Sequence, residues 1–130
     1  MREIEFRGKA IHPNGLEQIV GSWAYGGIFE NKIITRNLDM NSHYHGFISE
    51  IEIDLKTIGQ YTGLKDKNGK KIFEGDIGWE EYGECYGVVK FEDSKFLYLW
   101  ENIAEDLWEV ADDIEICGNI HENLDLLEGK

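Results

Sequence analysis

Short runs of alternating apolar and polar residues recur along the chain, separated by glycine and asparagine. Ile4 and Phe6 alternate with Glu3 and Glu5, and Ile51, Ile53 and Leu55 alternate with Glu52 and Asp54. A two-residue period puts one set of side chains on a single strand face. Both segments therefore read as strands with one buried face, the first as an edge strand. Residues 19–29 read as one or two strands, with Gly21, Gly26 and Gly27 marking bulges or tight bends. Residues 33–38 are another strand candidate.

In residues 57–73, Asn68-Gly69 lies between Ile58, Tyr61 and Leu64 on one side and Ile72 and Phe73 on the other. Asn-Gly favours a type I′ hairpin turn because both residues accept positive φ. Asp66 and Lys67 also favour turns, so a longer loop fits as well. A meander follows. Strands are expected at 76–79, 86–91 and 96–100, joined by turns at 82–85 and 92–95, with a closing strand at 114–118. Residues 103–111 are ambiguous. Ile103, Leu107, Val110 and Ala111 fall near helical spacing, whereas 107–110 also fits a strand. The balance favours an irregular loop or short helix. Residues 123–127 suggest a terminal helical turn with Asn123 as N-cap. The pattern predicts an all-β protein with minor helix: a compact, barrel-like N-terminal part and a small SH3-like barrel in the C-terminal part. It reads as one domain over 1–130, with possible subdomains 1–56 and 57–130.

With 130 residues, 42% hydrophobic and 12% aromatic, the chain has the size and core material of one folded domain. No run approaches the roughly 20 apolar residues of a membrane helix, and the start lacks the apolar stretch of a signal peptide. A cytoplasmic protein is expected. Two cysteines, Cys85 and Cys117, without a CxxC pattern, fit a reducing compartment.

Charge changes the picture most. The net charge is -13. Residues 1–65 hold 7 bases and 8 acids, whereas 66–130 hold 6 bases and 18 acids. Over residues 101–116 the chain carries Glu101, Glu105, Asp106, Glu109, Asp112, Asp113 and Glu115 and no base. Such a field repels phosphate backbones and favours cationic partners. The plainer reading is a solvated face that maintains solubility.

The string Thr-Ile-Gly-Gln-Tyr-Thr-Gly-Leu-Lys-Asp-Lys-Asn-Gly-Lys-Lys-Ile-Phe-Glu-Gly-Asp-Ile at 57–77 resembles the signature of YopX-like proteins of phages and prophages. The opening at 2–7, the Ser-Trp-Ala-Tyr-Gly segment at 22–26 and the closing segment at 116–123 agree with it. Two positions depart from the pattern: Leu124 stands where proline is common, and Cys117 where an isoleucine-like residue is usual. The resemblance implies a small β-rich protein with an SH3-like C-terminal part in a bacterial host. It brings no catalytic residue and no cofactor.

Candidate chemistry is sparse. His43 and His45 share a strand face, a spacing that can hold zinc. A third ligand would have to come from His12, His121 or a distant acid, and a polar strand face is the simpler reading. Glu80, Glu81 and Glu84 cluster beside Trp79 and Tyr82, where plain solvation of a hairpin tip is the simpler account. Asp76, after Gly75, is expected to bind backbone amides rather than act as a base. A dyad of Cys85 or Cys117 with His121 lacks an orienting pattern. Lys65, Lys67, Lys70 and Lys71 make a basic hairpin tip that either discourages edge pairing or docks on the acidic face of another copy.

The favoured expectation is a non-enzymatic accessory protein, without cofactor or metal, that binds a basic protein partner or self-associates. Its contacts would come from Lys65, Lys67, Lys70, Lys71, Trp100, Glu101, Glu105, Asp106, Trp108, Glu109, Asp112 and Asp113. The alternatives are a nucleic-acid-binding SH3-like module using the lysine tip, and a metal-assisted hydrolase using His43 and His45.

Overall fold

The computed structural model describes residues 4–11, 22–36 and 48–128. His12, His43 and His45 lie outside them, as do most of the candidate strand start at 19–22 and the end of that at 33–38. The chain divides into two compact units that meet in sequence between Gln60 and Tyr61.

The first unit holds β1 (Phe6–Ala10), β2 (Trp23–Phe29), β3 (Lys32–Arg36) and residues 48–60 of the long strand β4 (Ile48–Lys65). All pairings are antiparallel: β1 with β2, β2 with β3, β3 with β4, and β4 back to β1. These pairings close a four-strand ring, so β1 has partners on both sides and is not an edge strand. Ile4 precedes it and is exposed. The expected alternation holds at Ile53, which is buried with Ala24 and Ile33 against Phe6, Ile28, Ile51 and Ile58.

That alternation breaks at Leu55, which is 54% exposed. Arg7 pairs with Gly59 and Lys9 with Asp54, so Gly8 alone faces residues 55–58. This bulge flips the strand face. It is held by the Asp54 carboxylate, which accepts from the Lys56 amide (3.0 Å). The Thr57 hydroxyl donates to the Asp54 carbonyl (2.6 Å) and accepts from the Lys9 amide (2.8 Å).

The second unit begins with residues 61–65 of β4, which pair with β5 (Lys71–Phe73). It continues through β6 (Asp76–Glu80), β7 (Cys85–Glu92), β8 (Lys95–Trp100) and β9 (Ile103–Asp106). A one-turn helix α1 (Leu107–Val110) and a 3₁₀ turn (Ala111–Asp113) lead into β10 (Ile114–Asn119) and α2 (Asp125–Glu128). The sheet order is β10-β6-β7-β8-β9, all antiparallel. Residues 103–111 thus divide: the first four form a strand, and only then does the chain turn helical, burying Leu107 and Ala111. The core joins those two to Ile72, Val89, Tyr98, Ile114 and Ile116. The protein is mostly β, as the alternation predicts.

At residues 66–70 the longer loop forms rather than the two-residue type I′ turn. Asn68 does not take positive φ; only Gly69 does, at 83°. The loop is organised by Asp66, whose Oδ1 accepts from the amides of Asn68 (2.8 Å) and Lys70 (2.9 Å). Both residues of the two-residue β7–β8 connection, Asp93 and Ser94, have positive φ, at 53° and 67°. The two-residue turn with both positions left-handed is there. Asn123 does not cap its helix through its side chain, whose Oδ1 accepts from the Asn119 amide (3.1 Å).

Candidate functional site

The acidic run lands on one continuous stretch of the second unit. Glu101 occupies the β8–β9 turn with φ of 51°, Glu105 and Asp106 end β9, Glu109 lies on α1, and Asp112 and Asp113 sit in the 3₁₀ turn. Glu101, Glu109, Asp112 and Asp113 are exposed, and Trp108 stands among them at 68% exposure. A tryptophan this open is costly to leave in water, and Asp106, Glu109 and Asp112 lie within four positions of it along the chain. Asp106 is partly neutralised by Lys95, 3.0 Å away.

The lysines do not form a separate pole. Lys65, Lys67 and Lys70 are exposed and Lys71 is half-buried, with its ammonium 5.0 Å from the Tyr61 ring centroid. The loop that carries Lys67 and Lys70 is bonded to β10: the Lys67 amide donates to the Ile114 carbonyl (3.0 Å), and Asp66 Oδ2 accepts from the Ile116 amide (2.8 Å). The basic loop therefore lies alongside the strand that follows Asp113. Asp66 is buried, so its charge serves the backbone of this junction. Asp76, also buried, accepts from the Phe73 amide (2.8 Å), as its position after Gly75 suggests.

Beside the acidic stretch is a cleft of about 210 Å³, lined by Glu80, Cys85, Tyr98, Trp100, Glu105, Val110 and Asp113. Its construction depends on a pair of glycines. Gly78 and Gly87 face each other across β6 and β7, and the Tyr98 ring fills the space above them. A Cβ at Gly87 would lie 2.3 Å from Tyr98 Cζ, and one at Gly78 3.1 Å from its hydroxyl oxygen. The hydroxyl donates to the Gly78 carbonyl (3.0 Å). Burial, with the charges of Cys85, Cys117 and Glu80 adding to it, holds this phenol well above the ordinary tyrosine range.

The rim is equally constrained. The Trp100 indole N–H donates to Glu105 Oε2 (2.8 Å). The two oxygens of Glu80 accept from the amides of Tyr82 (2.8 Å) and Gly83 (2.6 Å). The hairpin carboxylate thus organises its own turn, while Tyr82 beside it is 93% exposed. Sequence reasoning singles out Trp100, Glu105 and Asp113 but misses Tyr98 and Cys85 as their companions. The available signal was Gly78 and Gly87, one on each of two consecutive strands.

Neither cysteine is in a disulfide. Cys85 is buried, and the Cys117 thiol turns to the Ile77 carbonyl at 3.5 Å. Loss of solvent around it, reinforced by Glu115, pushes the Cys117 thiol up, the reverse of what activates a nucleophile. Among the described residues, no group of histidines, cysteines and acids is arranged to hold a metal ion.

A model of the family described as YopX protein matches residues 18–128. The chain belongs to the YopX family. The match takes in all of the second unit except its last two residues, and with it the Asp66 loop, the cleft and the acidic stretch. No curated protein sequence matches the chain significantly. Among solved structures, the chain is similar in fold to the crystal structure of protein EF1440 from Enterococcus faecalis. The two are 23% identical, with a TM-score of 0.55, over 98% of this chain and 99% of that one. Membership in the YopX family and this shared fold agree with a β-rich protein in which no helix among the described residues is long and apolar enough to cross a membrane.

Proposed function

We propose that this YopX family member is a non-enzymatic binding protein whose second unit docks a partner protein with a basic surface, in keeping with an accessory role in a phage or prophage. One observation supports this above the others. An exposed tryptophan, Trp108, stands within a run of carboxylates that continues from the β8–β9 turn to the 3₁₀ turn. Interfaces concentrate their energy in buried aromatic anchors ringed by polar residues. Opposite charge raises the encounter rate and selects among partners. The acidic excess of the second half disfavours nucleic acid, since few phosphates would be neutralised.

Immobilised wild-type protein, offered host lysate at low and high salt, should retain a small set of basic proteins at low salt and release them at high salt. A variant carrying Glu109→Gln, Asp112→Asn and Trp108→Ala should fold normally and lose them. Retention of the same proteins by that variant, or retention of nucleic acid in place of protein, overturns the reading.

A further inference from the structure

The cleft beside the acidic stretch has its own chemistry. We infer that it receives the guanidinium of an arginine side chain, presented by the basic partner; this rests on the partner-binding reading above. The volume, about 210 Å³, is below the roughly 300–1,000 Å³ of sites for drug-sized ligands. It suits one side-chain head group.

Three carboxylates reach it from three places in the fold: Glu80 from the end of β6, Glu105 from β9 and Asp113 from the 3₁₀ turn. None of the lining residues is basic, so the negative charge there is not neutralised within the cleft. The remaining lining residues are Tyr98, which is almost wholly buried, Trp100, Val110 and Cys85.

Glu80, Glu105 and the Tyr98 hydroxyl are already fixed before a ligand arrives. Glu105 Oε2 holds the indole of Trp100, which leaves Oε1 to accept from a ligand. Glu80 is held by two backbone amides. Tyr98 is seated over the glycine pair, with its hydroxyl occupied by Gly78. Binding would therefore order little, which preserves affinity. Between the two cationic side chains, the planar guanidinium fits better. It stacks on an indole face while its edge donates to more than one carboxylate. The more strongly hydrated ammonium of lysine gains less from an aromatic wall.

The test is an NMR titration of the full chain with blocked arginine amide, and separately with blocked lysine amide and blocked citrulline amide. Citrulline keeps the shape of arginine without its charge. Arginine amide should move the Trp100 indole N–H resonance saturably, lysine amide should bind at least about tenfold more weakly, and citrulline amide should leave the resonance in place. Glu105→Gln keeps an acceptor for the indole and should weaken arginine binding by about tenfold or more, the expected loss for a hydrogen bond to a charged group. An unmoved Trp100 resonance, equal binding of citrulline or lysine, or unchanged affinity in a normally folded Glu105→Gln variant overturns the inference. The two readings fail separately. Salt-dependent capture of basic proteins without arginine binding in the cleft removes only this inference. Failure to capture any basic protein removes the partner reading itself.

Discussion

The Asp66 loop and the stretch from Glu101 to Asp113 are both rich in charge, and they use it in opposite ways. In the loop the central carboxylate is buried and spends its oxygens on three backbone amides, those of Asn68, Lys70 and Ile116. Around it Lys65, Lys67 and Lys70 stay in solvent. In the acidic stretch the burial falls to Leu107 and Ala111, and the carboxylates at Glu109, Asp112 and Asp113 stay exposed. The difference teaches that a carboxylate is buried here where a backbone leaves amides to satisfy, as at Asp66. Along Glu109, Asp112 and Asp113 it faces water.

Substitution can break that contrast. The largest effect is expected at the buried end. Asp66→Ala leaves three amides without an acceptor and should cost about 3 kcal/mol or more, read as a fall in the denaturation midpoint. A loss below about 1 kcal/mol would mean that Asp66 is as dispensable as the exposed acids. Gly87→Ala follows. Its methyl meets the Tyr98 ring in a packed sheet, and overpacking of this kind costs about 1–3 kcal/mol. A chemical denaturation curve superimposable on wild type would remove the glycine-pair account of the cleft floor.

Alkali provides a third, smaller test. The Tyr98 pKa is raised on folding above its ordinary value of 10.0. Below pH 10 both folded and unfolded states keep the proton. Above it the unfolded chain releases the proton while the folded protein holds it, so stability should fall as pH rises past 10. In a spectrophotometric titration, Tyr98 should remain un-ionised until the protein unfolds. Complete tyrosine ionisation below the unfolding transition would contradict the seated phenol.

The smallest stability effect belongs to the exposed end. Asp112→Asn and Glu109→Gln should change stability by no more than about 0.5 kcal/mol. In the direction of repulsion relieved, they should be neutral or slightly stabilising. A loss beyond 1 kcal/mol would show that these carboxylates serve the fold as Asp66 does.

Much of the β architecture is legible in the chain because strand alternation is a local property. The meander of β6, β7 and β8 falls within a residue or two of its expected limits. Ambiguity and misreading arise where two local rules compete. Asn68-Gly69 has the composition of a type I′ turn, and of the two readings it left open the longer loop, organised by Asp66, is the one that forms. Residues 103–111 satisfy helical and strand spacing in part because the chain changes element after Asp106. Leu55 obeys the alternation in sequence but sits in a bulge where β4 pairs with β1.

The candidate site was half legible for the same reason. Trp100, Glu105 and Asp113 stand out in sequence as aromatic and acidic residues of one charged run. Glu80 and Cys85 belong to β6 and β7 and join them only through sheet registry, while Tyr98 shares β8 with Trp100.

Sequence alone determined the β-rich character, the family and the gathering of acids in the second half, since each follows from residue identity and near-neighbour spacing. Tertiary structure decided which of those acids are buried against amides and which face water, and it built the cleft. Both outcomes depend on pairings between residues up to fifty positions apart, and no local pattern records which distant strand will supply a partner or a wall.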